Sequence, residues 1–83
     1  MTRIVFRDRS GKPVAGAVVA ITTAPAEMAD IGYVTDNEGA IALSIPAPGS
    51  YGFVLTGANG GRMIASKRLA AEGEVDVTAH AMG

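Results

Sequence analysis

Short runs of alternating apolar and polar residues, broken by glycine- and proline-rich turns, constrain the fold of this chain more than any other feature. Ile4 and Phe6 alternate with Arg3 and Arg7 near the start, and Val75 alternates with acidic residues near the end. Alternation with a period of two is typical of half-buried β-strands. The turn residues recur at intervals of about 8–12 residues, which is typical of sandwiches and barrels. The sequence therefore predicts an all-β domain.

The alternation predicts seven strands, at residues 2–7, 17–23, 32–35, 40–45, 51–56, 62–69 and 74–79. Residues 24–31 are predicted to form the longest loop, and the tail, residues 80–83, is predicted to fray. No linker or repeat divides the 83 residues, so we expect one domain, residues 1–83. The predicted core contains the inward-facing apolar residues, which are Ile4, Phe6, Val14, Val19, Ile21, Ile41, Leu43, Tyr51, Phe53, Leu55, Val75 and Val77.

The charge pattern argues against a nucleic-acid partner. The net charge is −1, and most basic residues are interleaved with acidic or apolar ones. Arg62, Lys67 and Arg68 form the single local basic group, whereas nucleic-acid binders usually carry a dominant basic stripe. We therefore expect no nucleic-acid partner.

Other features limit the cellular compartment of the chain and the kinds of chemical site that it can carry. The chain has no cysteine, which excludes disulfides and thiolate metal sites. No apolar stretch approaches the ~20 residues of a membrane span, and the N-terminal apolar run is too short for a signal peptide. As written, the chain is expected in the cytoplasm, unless it comes from a longer secreted protein or is exported without a signal.

The residues offer little for catalysis or for a metal ion. His80 is the one histidine, and a tail position does not provide the rigid neighbours that a nucleophile and its base require. Asp36 and Glu38 could supply oxygen ligands to calcium, but the Asp36-Asn37-Glu38-Gly39 segment is explained by a turn that begins with aspartate and ends with glycine. We expect no catalytic residues, no cofactor and no metal ion.

Three segments share a further pattern. They are Gly-Lys-Pro-Val-Ala-Gly-Ala-Val-Val at residues 11–19, Thr-Asp-Asn-Glu-Gly-Ala-Ile-Ala-Leu at residues 35–43, and Pro-Ala-Pro-Gly-Ser-Tyr at residues 46–51. In this order and spacing they resemble the carboxypeptidase regulatory-like domain, and the resemblance extends from Ile4 to about Thr78. It implies a seven-stranded antiparallel Greek-key β-sandwich of the transthyretin-like (prealbumin-like) type. The family usually has an aromatic residue where Ile41 stands.

The resemblance implies little about chemistry, because the family is mostly a non-catalytic accessory domain in otherwise unrelated proteins. Transthyretin-like sandwiches include one enzyme, the hydrolase that opens 5-hydroxyisourate. That enzyme carries several active-site histidines and ends in a Tyr-Arg-Gly-Ser-type motif. This chain has one histidine and ends in Ala-His-Ala-Met-Gly, so the hydrolase is a remote alternative.

Apolar residues also occupy positions that alternation places on the outside. A solvated sheet face would carry more threonine, lysine and glutamate, and several exposed apolar residues on one sheet form the kind of patch that marks an interface. Open strand edges offer a second way to bind a partner. The candidate interface residues are Val18, Ala20, Val34, Ala40, Ala42, Val54 and Ile64.

Two functions therefore remain open for this chain besides the remote hydrolase. The leading hypothesis is a non-catalytic accessory subunit or adaptor that associates with a larger protein, or with itself, through a sheet face or edge. The alternative is a module that binds a small molecule or glycan through its end loops, with residues 24–31 as the longest loop.

Overall fold

The computed structural model describes residues 1–27, 32–57, 60–70 and 72–81. All regular structure in these residues is β-strand, as the alternation predicts. The strands are β1 (Thr2–Arg7), β2 (Val18–Thr23), β3 (Tyr33–Val34), β4 (Ala40–Leu43), β5 (Gly49–Thr56), β6 (Arg62–Leu69), β7 (Gly73–Thr78) and β8 (His80–Ala81).

The strands form two sheets in a sandwich-like arrangement. The three-stranded sheet has the order β4-β1-β7, and the five-stranded sheet has the order β3-β2-β5-β6-β8. The chain crosses from one sheet to the other several times, so each sheet contains strands that are far apart in the sequence. Apolar residues between the sheets form one continuous core.

Two predictions about the strands are wrong. The expected all-antiparallel pairing fails at β1 and β7, which run parallel with Thr2 opposite Gly73 and Arg7 opposite Thr78. The tail does not fray at residues 80 and 81, since His80 and Ala81 form an eighth strand beside β6, and residues 82 and 83 of the predicted tail lie outside the described residues. Ala79, immediately before β8, is fully buried, and this burial anchors the end of the chain.

The predicted core is confirmed. Nine of the twelve predicted residues lie in the buried cluster, and Val14, Ile21 and Val75 pack against it half-buried. Phe6 and Phe53 meet edge to face across the sandwich, with ring centroids 5.2 Å apart and an interplanar angle of 76°. This geometry is the one that aromatic quadrupoles favour. The cluster also contains Ala65 and Leu69 of β6, whose facing the sequence pattern does not define.

Two turns of the same design connect to the ends of strands. In the first, Gly11 donates its backbone N–H to the carbonyl of Asp8 at 3.0 Å, and in the second Gly39 does the same to Asp36 at 3.0 Å. Both glycines have positive φ, at 89° and 78°. Glycine adopts this region without the steric cost that a side chain brings.

Gly39 also has no space for a side chain. A Cβ atom there would lie 2.5 Å from the carbonyl oxygen of Phe6 and 2.9 Å from the backbone nitrogen of Val14, whereas a Cβ at Gly11 would meet nothing within 4 Å. Phe6 donates its N–H to the Gly39 carbonyl and accepts from the N–H of Val14. The motif at residues 35–43 and the motif at residues 11–19 therefore meet at the end of β1.

Buried polar groups in the remaining loops have partners. The Tyr51 ring is buried, and its hydroxyl donates to the carbonyl of Ala47 at 2.6 Å. The Thr35 hydroxyl accepts from the N–H of Ala17 at 2.8 Å. Because an unpaired buried polar group costs about 1–3 kcal/mol, these bonds hold the proline-rich loop to β5 and the end of β3 to the start of β2.

Candidate association surface

Five of the seven candidate interface residues lie together on the outer face of the five-stranded sheet. Across the strands, Val34 stands opposite Val18, and Val18 stands opposite Thr56 on its other side. Two residues further along, Ala20 stands opposite Val54, and Val54 stands opposite Ile64. Residues directly opposite each other in a sheet share a face. Strand spacing of about 4.8 Å makes this a continuous surface four strands wide. We call it the apolar face, defined by Val18, Ala20, Val34, Val54 and Ile64.

The side chains of the apolar face are open to solvent. Val34 is 67% exposed, Val18 49% and Ile64 45%. Ala20 is exposed and Val54 is half-buried between its neighbours. A single exposed apolar residue is ordinary on a protein surface, but five in adjacent register positions form a contiguous patch of the kind that marks an interaction site.

The other two candidates do not belong to this surface. Ala42 is exposed, but it stands on the three-stranded sheet opposite Arg3. Ala40 stands on the outer face of the same sheet, but it is only 4% exposed and offers no open apolar surface there. It stands opposite Val5 and directly follows Gly39, which packs closely against the backbone of Phe6 and Val14. A short side chain beside longer neighbours is covered, although alternation points it outward.

The ionisable side chains within the strands of this sheet that share the apolar face are all basic. Arg62 stands opposite Thr56, and Arg68 stands opposite Ser50, so an arginine lies at either end of β6 on this face. His80 stands opposite Ile64 at the β8 edge. None of the five strands in this sheet contains an aspartate or glutamate. The face is therefore an apolar patch with a cationic border.

The outer face of the three-stranded sheet has a different composition, and we call it the charged face. Arg3 is ion-paired with Glu38, and it also contacts Glu74 with Nη1 and Oε1 2.9 Å apart. Arg7 lies with its Nε 3.8 Å from Oδ1 of Asp76. Val5, between the two arginines in sequence, is 2% exposed. Long ion-paired side chains therefore surround the central apolar residue, and arginine stems cover apolar surface well.

The two carboxylates considered as calcium ligands, Asp36 and Glu38, have partners within the protein. Oδ1 of Asp36 accepts the backbone N–H groups of Glu38 at 2.8 Å and Ala40 at 3.0 Å. The hydrogen bonds from Ala40 and then Glu38 lower the pKa of Asp36 below its ordinary value. The Glu38 carboxylate is paired with Arg3. Within residues 1–27, 32–57, 60–70 and 72–81, no three histidine, cysteine or acidic residues converge on a point that could hold a metal ion.

His80 lies in an ordered edge strand, not in a frayed tail. It is exposed, and its register partner is the apolar residue Ile64. Asp8, the acidic residue of the first turn, is occupied with its own loop, since Oδ1 accepts from Ser10 and from the N–H of Lys12. The bond from the Ser10 hydroxyl, followed by that from Lys12, lowers the pKa of Asp8.

One shallow depression of about 300 Å³ lies away from the loop that the ligand-binding hypothesis uses. It is lined by the first turn together with β6 and the end of the chain, at Asp8, Arg9, Ser10, Met63, Ala79 and Ala81. Residues 24–27 of the predicted binding loop do not line it, and residues 28–31 lie outside the described residues. Its polar side chains all come from the first turn, where the Asp8 carboxylate accepts from the Ser10 hydroxyl at 2.6 Å.

The facing of β6 is the part of this surface that sequence reasoning did not resolve. Its apolar residues fall at Met63, Ile64, Ala65 and Leu69, without clean alternation. Pairing with β5 decides the matter, because Phe53 stands opposite Ala65 and Val54 stands opposite Ile64. The clear alternation of β5 was the one signal that could have assigned the facing of its neighbour.

The described residues form no helix of the length and apolarity that crossing a membrane requires. Comparison with protein-family models finds no match to the chain, and comparison with curated proteins likewise finds none.

Proposed function

We propose that this protein is a non-catalytic binding module, an accessory subunit or adaptor that associates through its apolar face with a larger protein or with a second copy of itself. The observation that carries the proposal is the set of five apolar residues in adjacent register positions on one open sheet face. Burying apolar surface contributes about 25 cal/mol per Å², so such a face stabilises a complex that covers it.

The border of the face suggests the chemistry of the partner. Arg62 and Arg68 flank the apolar residues, and the strands of this sheet carry no acidic side chain. Complementary potentials steer encounter and fix the orientation of a complex. The best-fitting partner therefore has an apolar patch bordered by carboxylates. This favours a different protein over a second copy stacked face to face, which would bring cationic borders together.

We also propose that the sandwich is a Greek-key, transthyretin-like domain of the carboxypeptidase regulatory-like family. Support comes from the structural roles of the three motif segments. Residues 11–19 and 35–43 meet at Gly39, and Gly16 donates its N–H to the carbonyl of Thr35 at 3.1 Å. Tyr51 of the third segment is bonded to Ala47 within the same segment. A family of mostly accessory domains agrees with the proposed role.

Analytical sedimentation tests the proposal. The protein is run over a range of concentrations, alone and in an extract of its native source. We expect a larger species, either at higher protein concentration or in the extract, because the apolar face is stabilised when it is covered. A strictly monomeric species with no co-sedimenting partner in either experiment would contradict the proposal.

Charge reversal tests the partner chemistry. The double variant Arg62→Glu, Arg68→Glu is expected to bind an acid-bordered partner at least tenfold more weakly, because each substitution replaces attraction with repulsion. The matched control is Arg9→Glu, which changes an exposed arginine in the first turn, outside the strands that form the apolar face. Equal binding by the double variant and the control would reject the acidic border.

A further inference from the structure

The longest of the edge strands in the described part of the sandwich is β7. The two sheets have β3, β8, β4 and β7 as their edge strands, of which β3 and β8 contain two residues each and β4 contains four. The six residues of β7 pair with β1 alone among the described strands. A long strand with unpaired backbone groups is a template for another strand.

The register identifies the backbone groups that remain open. Ala79 donates its N–H to the carbonyl of Arg7 at 2.8 Å, on the β1 side. Alternate residues of a strand direct their backbone groups to the same side, so Val75 and Val77 also face β1. Glu74, Asp76 and Thr78 consequently direct their N–H and C=O groups to the free edge. No other strand of the described chain pairs with these three residues.

The side chains along this edge are acidic and only partly engaged. Glu74 contacts Arg3 at 2.9 Å and Asp76 lies 3.8 Å from Arg7, while the two carboxylate side chains remain 60% and 67% exposed. Both arginines stand on β1, on one side of the acids. A strand added at the free edge would lie on the other side of β7 from β1. Every second side chain of that strand would stand next to Glu74 and Asp76, across from the two arginines.

These acids discourage pairing between two copies. If two β7 strands paired antiparallel about Asp76, the Asp76 residues would stand opposite each other. If they paired about Val75, Glu74 would stand opposite Asp76 twice. Like charges directly opposite each other in a sheet are destabilising, so the edge is protected against a second copy and is open to a basic strand.

We propose that the β7 edge binds an extended peptide segment of another protein, with lysine or arginine at alternate positions. The segment adds a fourth strand to the three-stranded sheet, bonds to the open backbone groups of Glu74, Asp76 and Thr78, and places its basic side chains beside Glu74 and Asp76. This inference rests on the proposed non-catalytic binding role and specifies one partner chemistry for its edge. The site is separate from the apolar face.

A peptide titration followed by NMR tests the inference on the full chain. The probe is an eight-residue peptide of alternating lysine and valine, and its control has glutamate in place of lysine. We expect the lysine peptide to slow hydrogen exchange at the amides of Glu74, Asp76 and Thr78, with binding that weakens as salt is added. The glutamate peptide is expected to leave these amides unchanged.

A pair of variants at one position separates backbone pairing from general attraction. Thr78→Pro removes an edge N–H without removing one that faces β1 and is expected to weaken binding about fivefold, the value of roughly one hydrogen bond. Thr78→Ala keeps the N–H and is expected to bind like the wild type. Circular dichroism confirms that both variants are folded, and Asp76→Asn, which keeps the backbone intact, should also weaken the lysine peptide.

Three results would overturn the inference: no binding of the lysine peptide, equal binding of both peptides, or protection confined to residues outside β7. Ala20→Lys, a change on the apolar face, should leave peptide binding unaltered. If the peptide does not bind while the apolar face associates in sedimentation, the edge inference fails and the proposed function stands. If neither surface associates, both fail.

Discussion

The outer faces of the two sheets differ in what covers their valines. Val5, at the centre of the three-stranded sheet, is 2% exposed, whereas Val18 on the five-stranded sheet is 49% exposed. Arg3 and Arg7 flank Val5 and are held by Glu38, Glu74 and Asp76. No ion pair of the described residues lies on the apolar face. The valine of one face is thus covered by the chain itself, and that of the other is open to solvent.

The comparison also shows that the charged face depends on a turn. Glu38, which pairs with Arg3, lies in the turn that ends at Gly39, and Gly39 fits tightly against the end of β1. The apolar face has no such dependence, because regular strand pairing alone aligns its residues. Damage to the turn should therefore affect the charged face and the fold, while substitutions on the apolar face should leave the fold intact.

The largest expected effect is at the turn. Gly39→Ala should lower the free energy of unfolding by about 3 kcal/mol or more, because positive φ costs about 1 kcal/mol and the new Cβ would also collide with backbone atoms of Phe6 and Val14. Gly11→Ala is the matched control, since it has the same positive φ in open space, and should lose about 1 kcal/mol. Chemical denaturation measures both, and equal losses would contradict the close approach at Gly39.

A smaller effect separates the two valines. Val5→Ala should cost about 2 kcal/mol of unfolding free energy, because it leaves a cavity under the charged face. Val18→Ala removes the same atoms from an exposed position and should cost no more than about 1 kcal/mol, the range of strand propensity. The two variants are compared by the same denaturation experiment. A loss at Val18 as large as that at Val5 would show that the apolar face is part of the core.

The two valines also show how far sequence reasoning reaches. Alternation assigns both to outer faces. It places Val18, Ala20, Val34, Val54 and Ile64 outward together with Ala40 and Ala42, and it does not show that the last two stand on the other sheet. It cannot reveal that Val5 is covered, because the acids that hold Arg3 and Arg7 beside it are far away in the sequence, at Glu38, Glu74 and Asp76. The inward residues of β1 and β5 were predictable, since each strand alternates cleanly.

The pairing of distant strands could not be predicted either, because the paired residues are far apart in the sequence. The parallel alignment of β1 and β7 joins residues about seventy positions apart, and no local pattern specifies it. The ordering of His80 and Ala81 depends on their pairing with Met63 and Ile64. The turns at Asp8 and Asp36 were predictable, because aspartate and glycine fix their geometry locally.

The smallest expected effect is a loss of stability at low pH, which acts through Asp36 in the turn that ends at Gly39. The folded-state pKa of Asp36 is lowered from 3.8 by the hydrogen bonds from Ala40 and Glu38. A group with a lowered folded pKa stabilises the fold above its unfolded pKa, and this stabilisation is lost as the pH falls through the folded value. Asp36→Asn keeps an acceptor oxygen but not the charge.

The free energies of unfolding of the wild type and Asp36→Asn are measured by chemical denaturation over a pH series. They should differ by their full amount at pH 7, where Asp36 is ionised. The difference should narrow as the pH falls below the ordinary aspartate value of 3.8. A constant difference across the series would mean that the charge of Asp36 contributes nothing to the turn. Substitutions on the apolar face should show no such pH dependence.

A matched pair of lysine substitutions tests the central claim, that the apolar face and not the charged face is the association surface. Ala20 and Ala42 are both exposed alanines in strands, one on each outer face. Sedimentation velocity should show that Ala20→Lys reduces the associated species at least tenfold, because a charge cannot be buried unpaired, while Ala42→Lys associates like the wild type. Unchanged association of Ala20→Lys, or loss of association in Ala42→Lys alone, would contradict the account.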